Sequence, residues 1–185
     1  ALMLSVISSI MSNGQAGLVD LHLVQEQKLL SAYTVPDDPP DYTAYFMQGS
    51  PKQGQSLDEV KELLLAQIDA LRRGDWDESL LAAGIANYKL QVQQMLEDNS
   101  SRADLFVTSF VNGQPWADMV HRVERMEQIT KADVVAFANA HLKDNNYAIV
   151  YKRQGEDPNI KKIAKPAITP IFMNRDTTSA FLREI

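Results

Sequence analysis

His22, His121 and His141 are the chain's three histidines, and with no cysteine among its 185 residues they are its only imidazole or thiolate ligands. A zinc pair on one helix needs two of them four residues apart, and no two have that spacing. His121-x-x-Glu124 comes nearest to a metal motif, but the inverted zinc-peptidase motif requires a second histidine directly after the glutamate, where Arg125 stands. One histidine and one glutamate on a single turn read as a surface pair. The lack of cysteine also removes a disulfide framework, an iron–sulfur cluster and a cysteine nucleophile. No G-x-S-x-G elbow, P-loop or G-x-G-x-x-G is present. Asn13-Gly14-Gln15-Ala16-Gly17 precedes a helix, where open N–H groups can hold phosphate, but a tight helix-to-helix turn is the favoured reading. Asp37, Asp38 and Asp41 surround prolines without the alternation of a calcium loop, and read as a solvated turn. The residues therefore predict no catalytic group and no metal ligand in this chain.

The elements that position these residues are legible from period and punctuation. Leu2, Val6 and Ile10 line one stripe of a first helix that Asn13-Gly14 stops. A second helix is predicted from about Leu18 to Leu29. Ser31 to Val35 and Tyr42 to Met47 read as two strands around the turn Pro36-Asp-Asp-Pro-Pro40, whose prolines exclude regular pairing. Tyr33, Tyr42, Tyr45 and Tyr147 are read as sheet residues.

Ser56-x-x-Glu59 is a capping box that opens a helix running through Val60, Leu64, Ile68 and Leu71 to Gly74. Asp75-x-x-Glu78 is predicted to open the next, with Leu81, Ile85, Tyr88, Val92 and Met95 on one face. Gly84 inside that helix loses about 1 kcal/mol against alanine, and close packing on a neighbour would explain it. A further helix from Asn99 reaches Gly113-Gln-Pro115, a short stripe ends near Ile129, and Thr130-x-x-Asp133 caps a last helix. Tyr147 to Tyr151 is predicted as a strand of buried type.

These elements predict an α+β fold, with helices packed on one face of a mainly antiparallel sheet. Three strands are few for so much helix, and the chain opens inside an apolar segment. One or two strands are therefore expected upstream in a longer polypeptide. Residues 1–154 are predicted as one domain. Residues 155–185, with Pro158, Pro166 and Pro170, are predicted as a linker toward a following domain.

Residues 1–150 carry a net charge of −9 and residues 151–185 one of +3. An acidic body repels phosphate backbones, which argues against nucleic-acid binding. The apolar run from Ala1 to Met11 falls short of the roughly 20 residues that span a bilayer.

The ordered set of segments resembles the non-catalytic domain of the pitrilysin/insulinase family of zinc metallopeptidases. The resemblance is carried over residues 1–152 by Ser12-Asn-Gly-Gln-Ala-Gly17, Leu23-Val-Gln-Glu-Gln-Lys-Leu-Leu-Ser-Ala-Tyr33, Gly74-Asp-Trp-Asp-Glu78, Gly113-Gln-Pro115, Ile129-Thr-Lys-Ala-Asp-Val-Val135 and Asn145-Asn-Tyr-Ala-Ile-Val150. Lys165-Pro-Ala-Ile-Thr-Pro-Ile171 through Asn174-Arg-Asp176 resembles the connector between the two halves of longer members.

The resemblance implies a domain like those of the mitochondrial processing peptidase, distantly related to the ferredoxin-like folds. In such proteins paired domains enclose a chamber, and zinc sits in a separate catalytic domain of the same parent chain. The implied function is a non-catalytic, chamber-forming and peptide-accommodating domain of a two-half zinc metalloendopeptidase. The alternative is a structural or interaction domain of a relative that has lost its metal in all domains. Expected partners are the parent's other domains and peptide or unfolded protein. Tyr33 matches a family tyrosine that contacts substrate. The family's arginine has no counterpart, because Gln25 or Glu26 falls at its place, and this favours an internal domain, the second of four. The bacterial periplasm or cell envelope is the expected compartment.

Overall fold

The computed structural model describes residues 2–39, 41–155, 163–170 and 178–183, and the chain divides into two compact units, Ala1–Tyr151 and Lys152–Ile185. The first unit is α+β, with one antiparallel ribbon against a layer of helices. Its central element is α1 (Leu2–Met11), in which Leu4, Val6, Ile7, Ile10 and Met11 are all buried. This helix is apolar on more than the one expected stripe because it lies against the sheet on one side and three later helices on others.

The chain then turns through residues 12–17 into Leu18 and Val19, and from there into a π-helix, Asp20–Gln25. Its i→i+5 bonds persist past the helix, from Lys28 N–H to the Leu23 carbonyl at 2.9 Å. The predicted helix to Leu29 thus ends about four residues early. Gln27 takes a left-handed φ of 54°, which reverses the chain so that Leu29 still enters the core.

Strands β1 (Ser31–Asp37) and β2 (Ala44–Ser50) pair antiparallel, with Tyr33 opposite Gln48 and Val35 opposite Phe46. Pro36 lies inside β1, opposite Tyr45, rather than in the turn. A proline is tolerated there when its missing N–H would face away from the partner strand. Pro40, the last residue of the expected turn, lies outside the described residues. The strand predicted for residues 147–151 is not in the sheet, which among the described residues holds β1 and β2 alone. Val150 is 93% exposed, so its β-branched side chain signals strand propensity without burial.

Next come α2 (Leu57–Arg73), α3 (Ser79–Glu97), α4 (Asn99–Val111), α5 (Trp116–Val120), α6 (Arg122–Glu127) and α7 (Lys131–His141). The predicted boxes at both α2 and α7 form. Ser56 N–H donates to Glu59 at 2.8 Å while Glu59 N–H donates back to the Ser56 hydroxyl, and Thr130 and Asp133 exchange the same pair. These bonds hold the Glu59 and Asp133 carboxyls below their ordinary range. Gly74 closes α2 at φ 75°.

The start of α3 differs from expectation. Asp75 and Glu78 make no box; Asp77 accepts the Ser79 N–H at 2.8 Å instead, while Asp75 pairs with Arg73. Gly84 has the predicted reason to be glycine. A Cβ there would run into the Ser9 hydroxyl of α1 and stand 3.1 Å from the Ser9 Cβ, so the Ser9 side chain would have to give way.

Helices α1 and α2 cover one face of the ribbon. The Ser8 hydroxyl of α1 donates to the Thr34 carbonyl at 3.4 Å, and Gly49 of β2 sits on Val60 and Leu64 of α2. In the second unit, residues 163–170 have no regular secondary structure and are exposed, and a short helix α8 spans Ala180–Arg183. Pro158 and the connector-like stretch from Ile171 to Asp176 lie outside the described residues.

Candidate functional site

Alternation along β1 decides which residues can meet a ligand. Ala32 and Thr34 are buried toward the helices, whereas Tyr33 and Val35 point out and are close to half exposed. In β2, Tyr45 and Met47 pack inward and Phe46 and Gln48 outward. The open face therefore carries Ser31 opposite Ser50, Tyr33 opposite Gln48, Val35 opposite Phe46 and Asp37 opposite Ala44, and the Tyr33 hydroxyl donates to Gln48 Oε1 at 2.9 Å. This platform can receive apolar side chains beside an amide and a phenol. The Asp37 carboxylate stands at the end of the same face, beside the loop that leaves β1.

Behind the platform the Tyr45 hydroxyl is buried beside those of Thr34 and Ser8, without a well-formed hydrogen bond to either. Burial pushes the Tyr45 phenol well up, and the two neighbouring hydroxyls offset only part of that rise. The Tyr45 phenol therefore stays neutral where it packs between sheet and core.

The three histidines do not converge. His22 Nδ1 lies 3.0 Å from Gln67 Oε1 of α2, and the His141 ring rests on Phe137 at 4.4 Å. His121 caps the break between α5 and α6, exposed, with Nδ1 3.8 Å from Glu124. Arg125 reaches away to Asp118 at 3.0 Å. Among the described residues no group of three His, Cys, Asp or Glu side chains could hold a metal ion. The donor set does not fit the zinc of a peptidase centre, which takes three converging ligands.

The glycine-rich turn binds an anion, and the anion is the chain's own. The Asp20 carboxylate, buried, accepts from the N–H groups of Asn13 at 2.7 Å, Gly14 at 2.9 Å and Gly17 at 3.1 Å. The Asn13 amide oxygen takes the N–H groups of Gln15 and Ala16. A phosphate would find these donors occupied. Gly17 is required as well, since a Cβ there would sit 2.6 Å from the Met11 carbonyl oxygen. Sequence reasoning missed Asp20; the available signal was a lone carboxylate between Val19 and Leu21, three residues after the turn.

Of the positions at which the family's arginine would fall, Gln25 donates to the Gln15 carbonyl, and Glu26 pairs with Lys28 at 2.7 Å. Lys28 holds the Glu26 carboxyl below its ordinary range. Both are engaged in local structure. Tyr33 is left as the one sequence-predicted contact residue, and it stands on the open face.

No family model matches the chain, and no curated protein matches it. Solved structures do. A protease from Helicobacter pylori superposes with a TM-score of 0.72 at 19% identity, covering 78% of this chain and 35% of that one. The inactive peptidase domain of a protein designated a zinc protease, from Bordetella parapertussis, gives 0.70 at 17% identity over 78% of this chain and 79% of its own. A Bordetella pertussis Tohama I protein of the same designation gives 0.68 at 17%, over 78% and 80%. The chain thus spans about a third of the Helicobacter protease and about four-fifths of each Bordetella chain. At these identities the likeness establishes the fold: this chain has the α+β architecture of an inactive peptidase domain of zinc proteases.

Proposed function

We propose that this chain is a non-catalytic domain of a two-half zinc metalloendopeptidase of the pitrilysin/insulinase type, forming part of a chamber wall and accommodating peptide. The observation that carries the reading is the shared fold with an inactive peptidase domain, at a TM-score of 0.70 over 78% of the chain. The open sheet face supports it. Tyr33, Val35, Phe46 and Gln48 offer apolar contact and hydrogen bonding without catalytic chemistry, as an extended peptide passing the site requires. In this reading the zinc, its water and the general base belong to another domain of the parent, and this chain contributes binding alone. A bacterial envelope compartment, and a place as the second of four domains, belong to the same proposal.

The test is fluorescence anisotropy of labelled, unstructured peptides with the full chain. Weak binding is expected, and Tyr33→Ala should weaken it about fivefold through the loss of one exposed aromatic contact. Unchanged binding in Tyr33→Ala would remove Tyr33 from the site, and no binding of any peptide would overturn the peptide-accommodating role.

A further inference from the structure

The corner where α4 meets α5 carries an exposed apolar face beside an acidic cleft. Phe106, Val107, Phe110 and Val111 recur at helical spacing on α4, and all four are exposed, Phe110 by 87%. Phe106 stacks on Trp116 of α5, ring centroids 4.1 Å apart, which fixes the two aromatic planes as a rigid edge of that face. The turn that follows α4 supplies Asn112 and Gln114 to one wall of a cleft of about 300 Å³. The loop between β1 and β2 supplies the other wall with Asp38, Asp41 and Tyr42. Apolar face and cleft therefore adjoin at the C-terminal end of α4.

The charges around the cleft select the occupant. No lysine, arginine or histidine lines it, and neither Asp38 nor Asp41 is in an ion pair among the described residues. Asp38 accepts the Thr43 hydroxyl, which holds that side chain in place. Two carboxylates, two side-chain amides and a tyrosine ring suit an ammonium or guanidinium group. The volume is at the lower limit of ligand pockets, enough for one long side chain. Residues 1–150 carry a net charge of −9, which disfavours a second copy of this chain, a nucleic acid or an anionic lipid surface at the same place.

We propose that the α4–α5 corner docks an unfolded peptide segment in which apolar residues adjoin a lysine or arginine. The apolar side chains lie on Phe106, Val107, Phe110 and Val111, and the cation enters the cleft between Asp38 and Asp41. This rests on the peptide-accommodating reading and adds a second contact surface to the Tyr33 platform, one that selects by composition.

Anisotropy with the full chain tests it with three labelled, unstructured peptides. One carries leucine and phenylalanine next to two arginines, the second has glutamates for the arginines, and the third has serines for the apolar residues. The first should bind about tenfold tighter than either of the others. Phe110→Ser, and separately the pair Asp38→Asn with Asp41→Asn, should each remove most of that preference without changing the melting temperature. Val107→Ser reads the same face if Phe110→Ser fails to fold. Equal binding of the charge-reversed peptide, or a preference that survives these substitutions, overturns the proposal. If binding persists in them but falls in Tyr33→Ala, the peptide-accommodating reading stands and this surface does not. If no peptide binds at all, both fall.

Discussion

Asp20 shows how one side chain converts a sequence that invites a ligand into a closed structural unit. Its carboxylate satisfies the N–H groups of Asn13, Gly14 and Gly17, and so joins the end of α1 to the start of the π-helix. Replacing it by alanine leaves three donors short of a partner in a part-buried turn, with a penalty of about 1–3 kcal/mol for each that water cannot reach. Asp20→Ala is therefore expected to lose about 3 kcal/mol or more in urea unfolding, and Asp20→Asn, which keeps one acceptor oxygen, roughly half of that. A loss below about 0.5 kcal/mol would show the turn to be held by its own backbone. The break in the nearest metal motif is legible from residue types alone, because Arg125 stands where the inverted motif needs its second histidine. The role of Asp20 is not, since a carboxylate's partners in a turn depend on where the backbone N–H groups point. Tyr33 was identified by resemblance, and its outward direction became visible only with the register of β1 against β2.

Helices with local punctuation were legible, and those shaped by tertiary contact were not. Ser56–Glu59 and Thr130–Asp133 cap α2 and α7 as their spacing predicts, because a capping box closes within four residues. At α3 the equivalent pattern failed. Arg73 draws Asp75 away, and Asp77 holds the first free N–H of the helix. The π-turn over Asp20–Gln25 left no trace in the apolar period, since one extra residue per turn shifts the stripe too little over six residues.

Gly84 offers the sharpest test at this scale. Helix propensity alone would make Gly84→Ala stabilising by about 1 kcal/mol. The clash of the added Cβ with the Ser9 side chain opposes that gain, and the substitution should destabilise by about 1–3 kcal/mol. Adding Ser9→Ala removes the clashing oxygen and should recover most of the loss. If the single variant is more stable than wild type, α1 and α3 can part without cost, and the close approach is not what requires glycine.

At the scale of the molecule, the fold class was legible and the strand count was not. Amphipathic helices and a proline-flanked pair of strands specified an α+β layer, which the ribbon beneath α1 and α2 realises. Tyr147 to Tyr151 has the composition of a strand, but a strand exists only through a neighbour, and composition does not supply one. The same limit applies to function. An open sheet face and an acidic, aromatic-edged corner are exposed surfaces, and composition alone does not say what they meet. Zinc stoichiometry of the purified full chain, dialysed against micromolar zinc and measured by elemental analysis beside a quenched-peptide cleavage assay, tests the proposed non-catalytic role most directly. Far less than one zinc per chain and no cleavage are expected, because His22, His121 and His141 lie on separate elements with separate partners. One tightly held zinc per chain, lost together with peptidase activity in His121→Ala, would contradict that role.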